Sequence, residues 1–172
     1  IEHGVTYMEE AKLPAILYSF TGKKSYLDAA LNAFRKLDRD HMLPDGVPSS
    51  NELLAGKDPL QSHETCVISD YTWSIGFLLM ATGDAAWADR IEKAIFNAGP
   101  GCVSKDFRSL QYFSSPNQVI ATGSSNHNTY KRGSTWMAYW PCHETECCAG
   151  NVHRFMPVSY THLRAHETRH DL

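Results

Sequence analysis

The sequence predicts a mainly helical fold, part of an α/α toroid in which inner helices line a central pit and outer helices cover them. Three observations predict it. A Thr-Gly motif leading into an amphipathic helix occurs twice, 61 residues apart; each copy is preceded by a second helix; and one of those leading helices is apolar nearly all round, as a helix covered on both sides must be.

The first copy reads Thr21-Gly22, then Tyr26, Asp28, Ala30, Ala33 and Phe34, and the second reads Thr82-Gly83, then Trp87, Asp89, Ile91, Ala94 and Ile95. Leu27, Ala30, Leu31, Phe34 and Leu37 recur at helical spacing, with Ser25 and Asp28 as a capping-box-like start. Trp87, Ala88, Ile91, Ala94, Ile95 and Ala98 form the matching stripe, which Gly99-Pro100-Gly101 is expected to end. The leading helices are expected over 5–20 and 65–81, each joined to its follower through the Thr-Gly turn, so the unit is an αα-hairpin used twice. Two hairpins cannot close a ring. The chain is therefore expected to be a piece of a larger barrel, with apolar faces such as Ile75, Phe77 and Leu79 short of neighbours.

Residues 43–63 read as loop from Pro44-Asp-Gly46, Pro48-Ser-Ser50 and Lys57-Asp-Pro59. Residues 107–113 and 118–122, rich in aromatic and β-branched side chains around Ser114-Ser-Pro-Asn117, read as a short β-hairpin, and 123–133 as a polar loop. The last stretch, 158–172, resembles the in-frame translation of a sequencing adapter, and 1–157 is expected to be the domain itself. Its alternative is a natural His-rich terminus, in which His162, His166 and His170 would lie at i, i+4, i+8.

Composition narrows the function. The chain has 172 residues, 42% apolar and 11% aromatic, and a net charge of −3, which gives no electrostatic case for nucleic acid or an anionic membrane. No apolar run approaches the roughly 20 residues that span a bilayer. A neutral or polar small substrate fits better, while compartment and oligomeric state are not legible. Five cysteines, two of them adjacent, make a poor disulfide framework, so thiol or metal chemistry is the expectation. Two clusters could carry it: His63-Glu64-Thr65-Cys66 and Cys142-His143-Glu144-Thr145-Glu146-Cys147-Cys148. Thiolates and a carboxylate are proper zinc ligands, although neither cluster has paired CxxC spacing. Residues i and i+2 lie about 200° apart on a helix, so Glu64 and Cys66 converge only if the chain is not yet helical at Glu64. Cys147 and Cys148 need a turn, for which Ala149-Gly150-Asn151 is suited. The plainer readings are core thiols, which Cys102 is expected to be, and a vicinal disulfide or surface thiols for Cys147 and Cys148.

The order Glu64-x-Cys66, Glu92-Lys-Ala-Ile-Phe-Asn97, Tyr112-Phe-Ser-Ser-Pro-Asn117, Glu146-Cys-Cys-Ala-Gly-Asn151 resembles glycoside hydrolase family 127, the β-L-arabinofuranosidase clan, over nearly all of 1–157. The resemblance implies an (α/α)6 barrel, a Zn²⁺ ion held by Glu64, Cys66, Cys147 and Cys148, and a retaining attack on the anomeric carbon by Cys147. It implies Glu52 as general acid/base, although the loop lacks the family's His-x-Gly-Glu run and is shorter. Glu92, Tyr112 and His3 match residues that bind the sugar. Zinc binds the thiolate and so deprotonates it; three thiolates and a carboxylate leave the site about two negative charges in excess, which helps one sulfur act. The implied function is release of terminal β-L-arabinofuranose from plant-type glycans by this glycosidase, inactive as an isolated fragment. Two alternatives remain at this point: a toroidal sugar epimerase or lyase, and a non-catalytic domain in which zinc only staples loops.

Overall fold

The computed structural model describes residues 2–122, 136–141 and 147–156. Among these residues five helices occur in the order α1 (Gly4–Ala11), α2 (Leu13–Thr21), α3 (Lys24–Asp40), α4 (Thr65–Thr82) and α5 (Ala86–Gly101), and residues 147–156 are also helical. Four two-residue strands, β1 (Ser50–Asn51), β2 (Leu53–Leu54), β3 (His63–Glu64) and β4 (Phe113–Ser114), form one small sheet in the order β2-β1-β3-β4.

The repeat is real at the level of single hydrogen bonds. Gly22 and Gly83 end α2 and α4 in the left-handed region, at φ 66° and 67°, and each donates its N–H to the carbonyl four residues back at 2.8 Å. Thr21 and Thr82 each turn their hydroxyl back to the i−4 carbonyl at 2.7 Å. The two hairpins then meet across α4, which packs against α1, α2 and α5. Burial explains its apolar circumference: Cys66, Val67, Ile68, Tyr71, Ile75 and Leu78 are all sealed in the core. Phe34 of α3 packs edge-on against Trp87 of α5 at 6.1 Å, and Arg90 of α5 donates to both Asp38 of α3 and the Tyr71 hydroxyl, joining three helices.

Several expectations change in detail. The first leading helix is two helices: Pro14 has no N–H to offer the preceding turn, and the chain breaks at Lys12. Ser25 is not a cap, since α3 starts at Lys24 with no side-chain cap bond; Asp28 instead pairs with Lys24 at 2.5 Å one turn away. The end of α5 carries no left-handed glycine, and its last turn tightens instead, Cys102 N–H reaching the Gly99 carbonyl at 3.2 Å. Ile75 is fully buried, and the large apolar side chains exposed on the five helices are Leu13, Leu17 and Phe20 on α2, Trp73 and Met80 on α4, and Phe96 on α5. The short hairpin lies inside the stretch read as loop, where β1 and β2 pair antiparallel. Phe113–Ser114 pairs with β3 and not with 118–122, because the buried β3 offers a partner that a local turn does not. The 123–133 loop, residues 142–146 and the tail lie outside the described residues.

Among the described residues no helix is long and apolar enough to cross a membrane.

Candidate active site

The small sheet and two helix starts build the site. Glu52 is the single residue between β1 and β2, where Asn51 pairs with Leu53, and that tight reversal puts it at φ 72°. A left-handed backbone on a non-glycine residue is strained, by about 1–3 kcal/mol, and such strain gathers at functional sites. Glu64 closes β3 and caps α4 in an extended conformation, so Cys66 two residues later sits in the first helical turn. The expectation that the chain is not yet helical at Glu64 is met. Tyr112 immediately precedes β4, and its carbonyl accepts from Thr65 N–H at 2.9 Å, fixing it beside the start of α4.

Cys147 and Cys148 come from the other direction, at the start of the described 147–156 helix. The turn expected at Ala149-Gly150-Asn151 is absent; those residues are helical. Phe155 of this helix is buried beside Gly99 of α5, where an added Cβ would lie 3.1 Å from its ring. Arg154 reaches Asp70 of α4 at 2.9 Å. The helix is thus held against both α4 and α5.

The four donors converge. One ligand atom from each of Glu64, Cys66, Cys147 and Cys148 lies within 4.8 Å of all the others. Cys66 Sγ and Cys148 Sγ are 3.3 Å apart, and Glu64 Oε1 is 3.7 Å from both Cys147 Sγ and Cys148 Sγ. Donors around a tetrahedral ion with metal–sulfur bonds of about 2.3 Å stand about 3.5–3.8 Å apart, so the spacing suits zinc. Glu64 is almost wholly buried and its Oε2 has no hydrogen-bond partner, an arrangement that a cation relieves. The residues present therefore fit a metal ion.

Electrostatics separate the thiols. Hydrogen bonds from Cys148 and Cys66 hold the Cys147 thiol far below its ordinary range. Burial pushes Cys148 up, and the hydrogen bond to Cys147 does the same to Cys66. One thiolate is favoured among three, and it is the exposed one. Burial pushes the Glu64 carboxyl up to about 8, with the Glu52 carboxylate adding in the same sense. Cys102 is a core thiol as expected, buried and bonded to the Gly99 carbonyl at 3.0 Å.

Glu52 joins this cluster through Tyr112. The Tyr112 hydroxyl donates to Glu52 Oε1 at 2.7 Å and lies 3.7 Å from Cys147 Sγ. His3 Nε2 lies 3.2 Å from Glu52 Oε2. His3, Glu52 and Glu64 also approach closely enough to surround an ion. Glu92 is not brought to this group: it lies exposed on α5 beside Asp89, Lys93, Phe96 and Asn97. The sequence missed the His63–Asp45 pair, 2.7 Å, in which buried His63 meets half-buried Asp45 behind the strand bearing Glu64. A histidine directly before a candidate ligand was its only signal.

Paired helices around a buried carboxylate and three thiols, a group that could hold a metal ion, place the chain in the α/α toroid class. The chain belongs to the β-L-arabinofuranosidase family, matching the GH127 catalytic domain over residues 8–160. Among solved structures it is similar in fold to a D-mannose isomerase, with a TM-score of 0.54 at 14% identity over 87% of this chain. The chain spans 37% of that isomerase, and the likeness is one of fold. No curated protein matches it in sequence.

Proposed function

We propose that this domain, within the barrel it is part of, is a retaining glycoside hydrolase that releases terminal β-L-arabinofuranose. Glu64, Cys66, Cys147 and Cys148 would hold Zn²⁺, which keeps thiolates deprotonated and lowers the charge they bring together. Cys147 attacks the anomeric carbon to form a thioglycoside, while Glu52 protonates the leaving oxygen; Glu52 then takes a proton from the water that releases the sugar. Tyr112 is proposed to contact the sugar, whereas Glu92, exposed on α5 apart from the thiol cluster, is given no part in it.

One observation carries the reading. Glu52 Oε1 and Cys147 Sγ flank a single hydroxyl, so they are no more than about 6.4 Å apart, the sum of its two contacts. That suits the roughly 5–5.5 Å of a retaining pair better than the roughly 6.5–9.5 Å that leaves room for a water in inverting enzymes. An arabinofuranoside bearing an electrophilic trap, given to the zinc-loaded enzyme, is expected to label Cys147 in peptide mass spectra. An adduct on Cys148 reverses the roles of the two thiols, and one on a carboxylate ends the thiolate mechanism.

A further inference from the structure

Both ring nitrogens of His3 are engaged within the chain. Nδ1 caps α1, accepting the Thr6 N–H at 3.2 Å with Thr6 Oγ1 3.0 Å away. A nitrogen that accepts a hydrogen bond presents its lone pair, so the neutral ring carries its proton on Nε2. That N–H faces Glu52 Oε2 at 3.2 Å. The same tautomer argues against an ion among His3, Glu52 and Glu64, since Nε2 has no lone pair to give.

The short stretch around His3 also holds the main chain of the glutamate. Gly4 N–H donates to the Glu52 carbonyl at 2.8 Å, Leu54 N–H donates to the Glu2 carbonyl at 2.9 Å, and His3 forms a β-bridge with Leu53. The strained apex is therefore clamped on both flanks, and its carboxylate receives one donor at each oxygen, Tyr112 at Oε1 and His3 at Oε2.

We propose that His3 is the positioning residue of the Glu52 carboxylate, with its tautomer set by the first turn of α1. The proposal rests on Glu52 being the acid/base. A carboxylate that gives a proton in one step and takes one from water in the next must present the same edge to the substrate both times. Donors at both oxygens stop it rotating, whereas Tyr112 alone would leave it free to swing.

His3→Asn and His3→Gln separate the two nitrogens. Asn keeps an acceptor in the place of Nδ1 and is a good helix cap, but reaches nothing at Nε2; Gln carries an N–H donor to the Nε2 position. In the zinc-loaded enzyme, His3→Asn is expected to lower kcat/KM for alkyl arabinofuranosides on the order of 10-fold or more. The loss on nitrophenyl arabinofuranosides, which need little protonation, is expected to be severalfold smaller. His3→Gln is expected to recover most of the alkyl rate and the wild-type leaving-group dependence, and it supplies the comparison alone if His3→Asn does not fold. Equal losses for both substrates, carried by KM and not recovered by Gln, overturn the proposal and return His3 to sugar binding. Glu52→Gln run alongside keeps the two readings apart. A leaving-group effect there with none in His3→Asn overturns this proposal alone, while no leaving-group effect in Glu52→Gln overturns the acid/base reading and this proposal with it.

Discussion

Arg154 and Asp70 form an ion pair, Nη1 to Oδ1 2.9 Å, across the interface between the helix that bears Cys147 and Cys148 and the helix that bears Cys66. The pair is part of a larger cluster. Arg154 also stacks 4.4 Å over the Trp73 ring and lies 3.9 Å from Glu9, while Lys12 sits 4.1 Å from the same ring and 2.5 Å from Glu9. Charge therefore aligns the two halves of the thiol cluster from outside it.

Arg154→Ala is expected to destabilise the protein by about 2 kcal/mol in urea titrations. Removing one partner of a fully buried pair costs about 3–5 kcal/mol, and the figure here is lower because Arg154 is 38% exposed. A loss below about 0.5 kcal/mol would show that the pair is ornamental and that Phe155 alone holds the helix.

The same cluster gives a pH dependence. Burial, then the hydrogen bond with Glu9, pushes the Asp70 carboxyl up to about 7, while Arg154 pulls the other way. Glu9 moves below its ordinary value as it accepts from Asp70 and Lys12. With an unfolded value near 4, the folded chain holds the extra proton between about pH 4 and 7, so this group's contribution to stability falls as pH rises through that window. Asp70→Asn, which cannot titrate, should flatten that slope in melts taken across the window. An unchanged slope would place its origin elsewhere.

Gly4 meets Ser50 at the junction of α1 and β1. A Cβ built there would stand 2.2 Å from Ser50 Oγ and 2.6 Å from Ser50 Cβ, and Ser50 is buried. Gly4→Ala should cost about 1–3 kcal/mol and lower activity, because it pries His3 from Glu52. Adding Ser50→Gly removes both clashing atoms and should restore part of each. A double variant no better than the single one would mean that the glycine matters for another reason.

Alkylation of the metal-free protein, reduced and held near pH 6, is expected to reach Cys147 first among the described cysteines. Its thiolate is stabilised and exposed, whereas burial pushes Cys102 up to about 12 and hides it. Peptide mapping after iodoacetamide reads the order. Labelling of Cys66 or Cys148 ahead of Cys147 would contradict the electrostatic ranking of the three.

The helices were legible because each obeys a period: the Thr-Gly caps and the stripes around Phe34 and Ile95 state a hairpin twice. The break at Lys12 was legible too, in Pro14, but the apolar pattern runs across it and hides it. What could not be read was the sheet. Strands of two residues have no alternation to detect, and their pairing of residues 50 with 63 and 64 with 113 is set by the helices that bring them together. For the site, Glu64, Cys66, Cys147 and Cys148 announce themselves by chemistry at short spacing. Nothing in Glu52 or Tyr112 taken alone says that they meet, since 60 residues separate them. Only the resemblance to the family proposed roles for them.

The Cys66 and Cys148 thiols are 82 residues apart in sequence and 3.3 Å apart in space. An ion bound between them is, in polymer terms, a cross-link that closes a loop of that length. Closing such a loop removes about 4–5 kcal/mol of chain entropy from any unfolded ensemble that keeps the link, a large share of a typical domain's stability. Metal affinity and folding then become two measures of one equilibrium. A chelator would act on this domain as a denaturant does, and the fraction folded would follow the free zinc level of its surroundings.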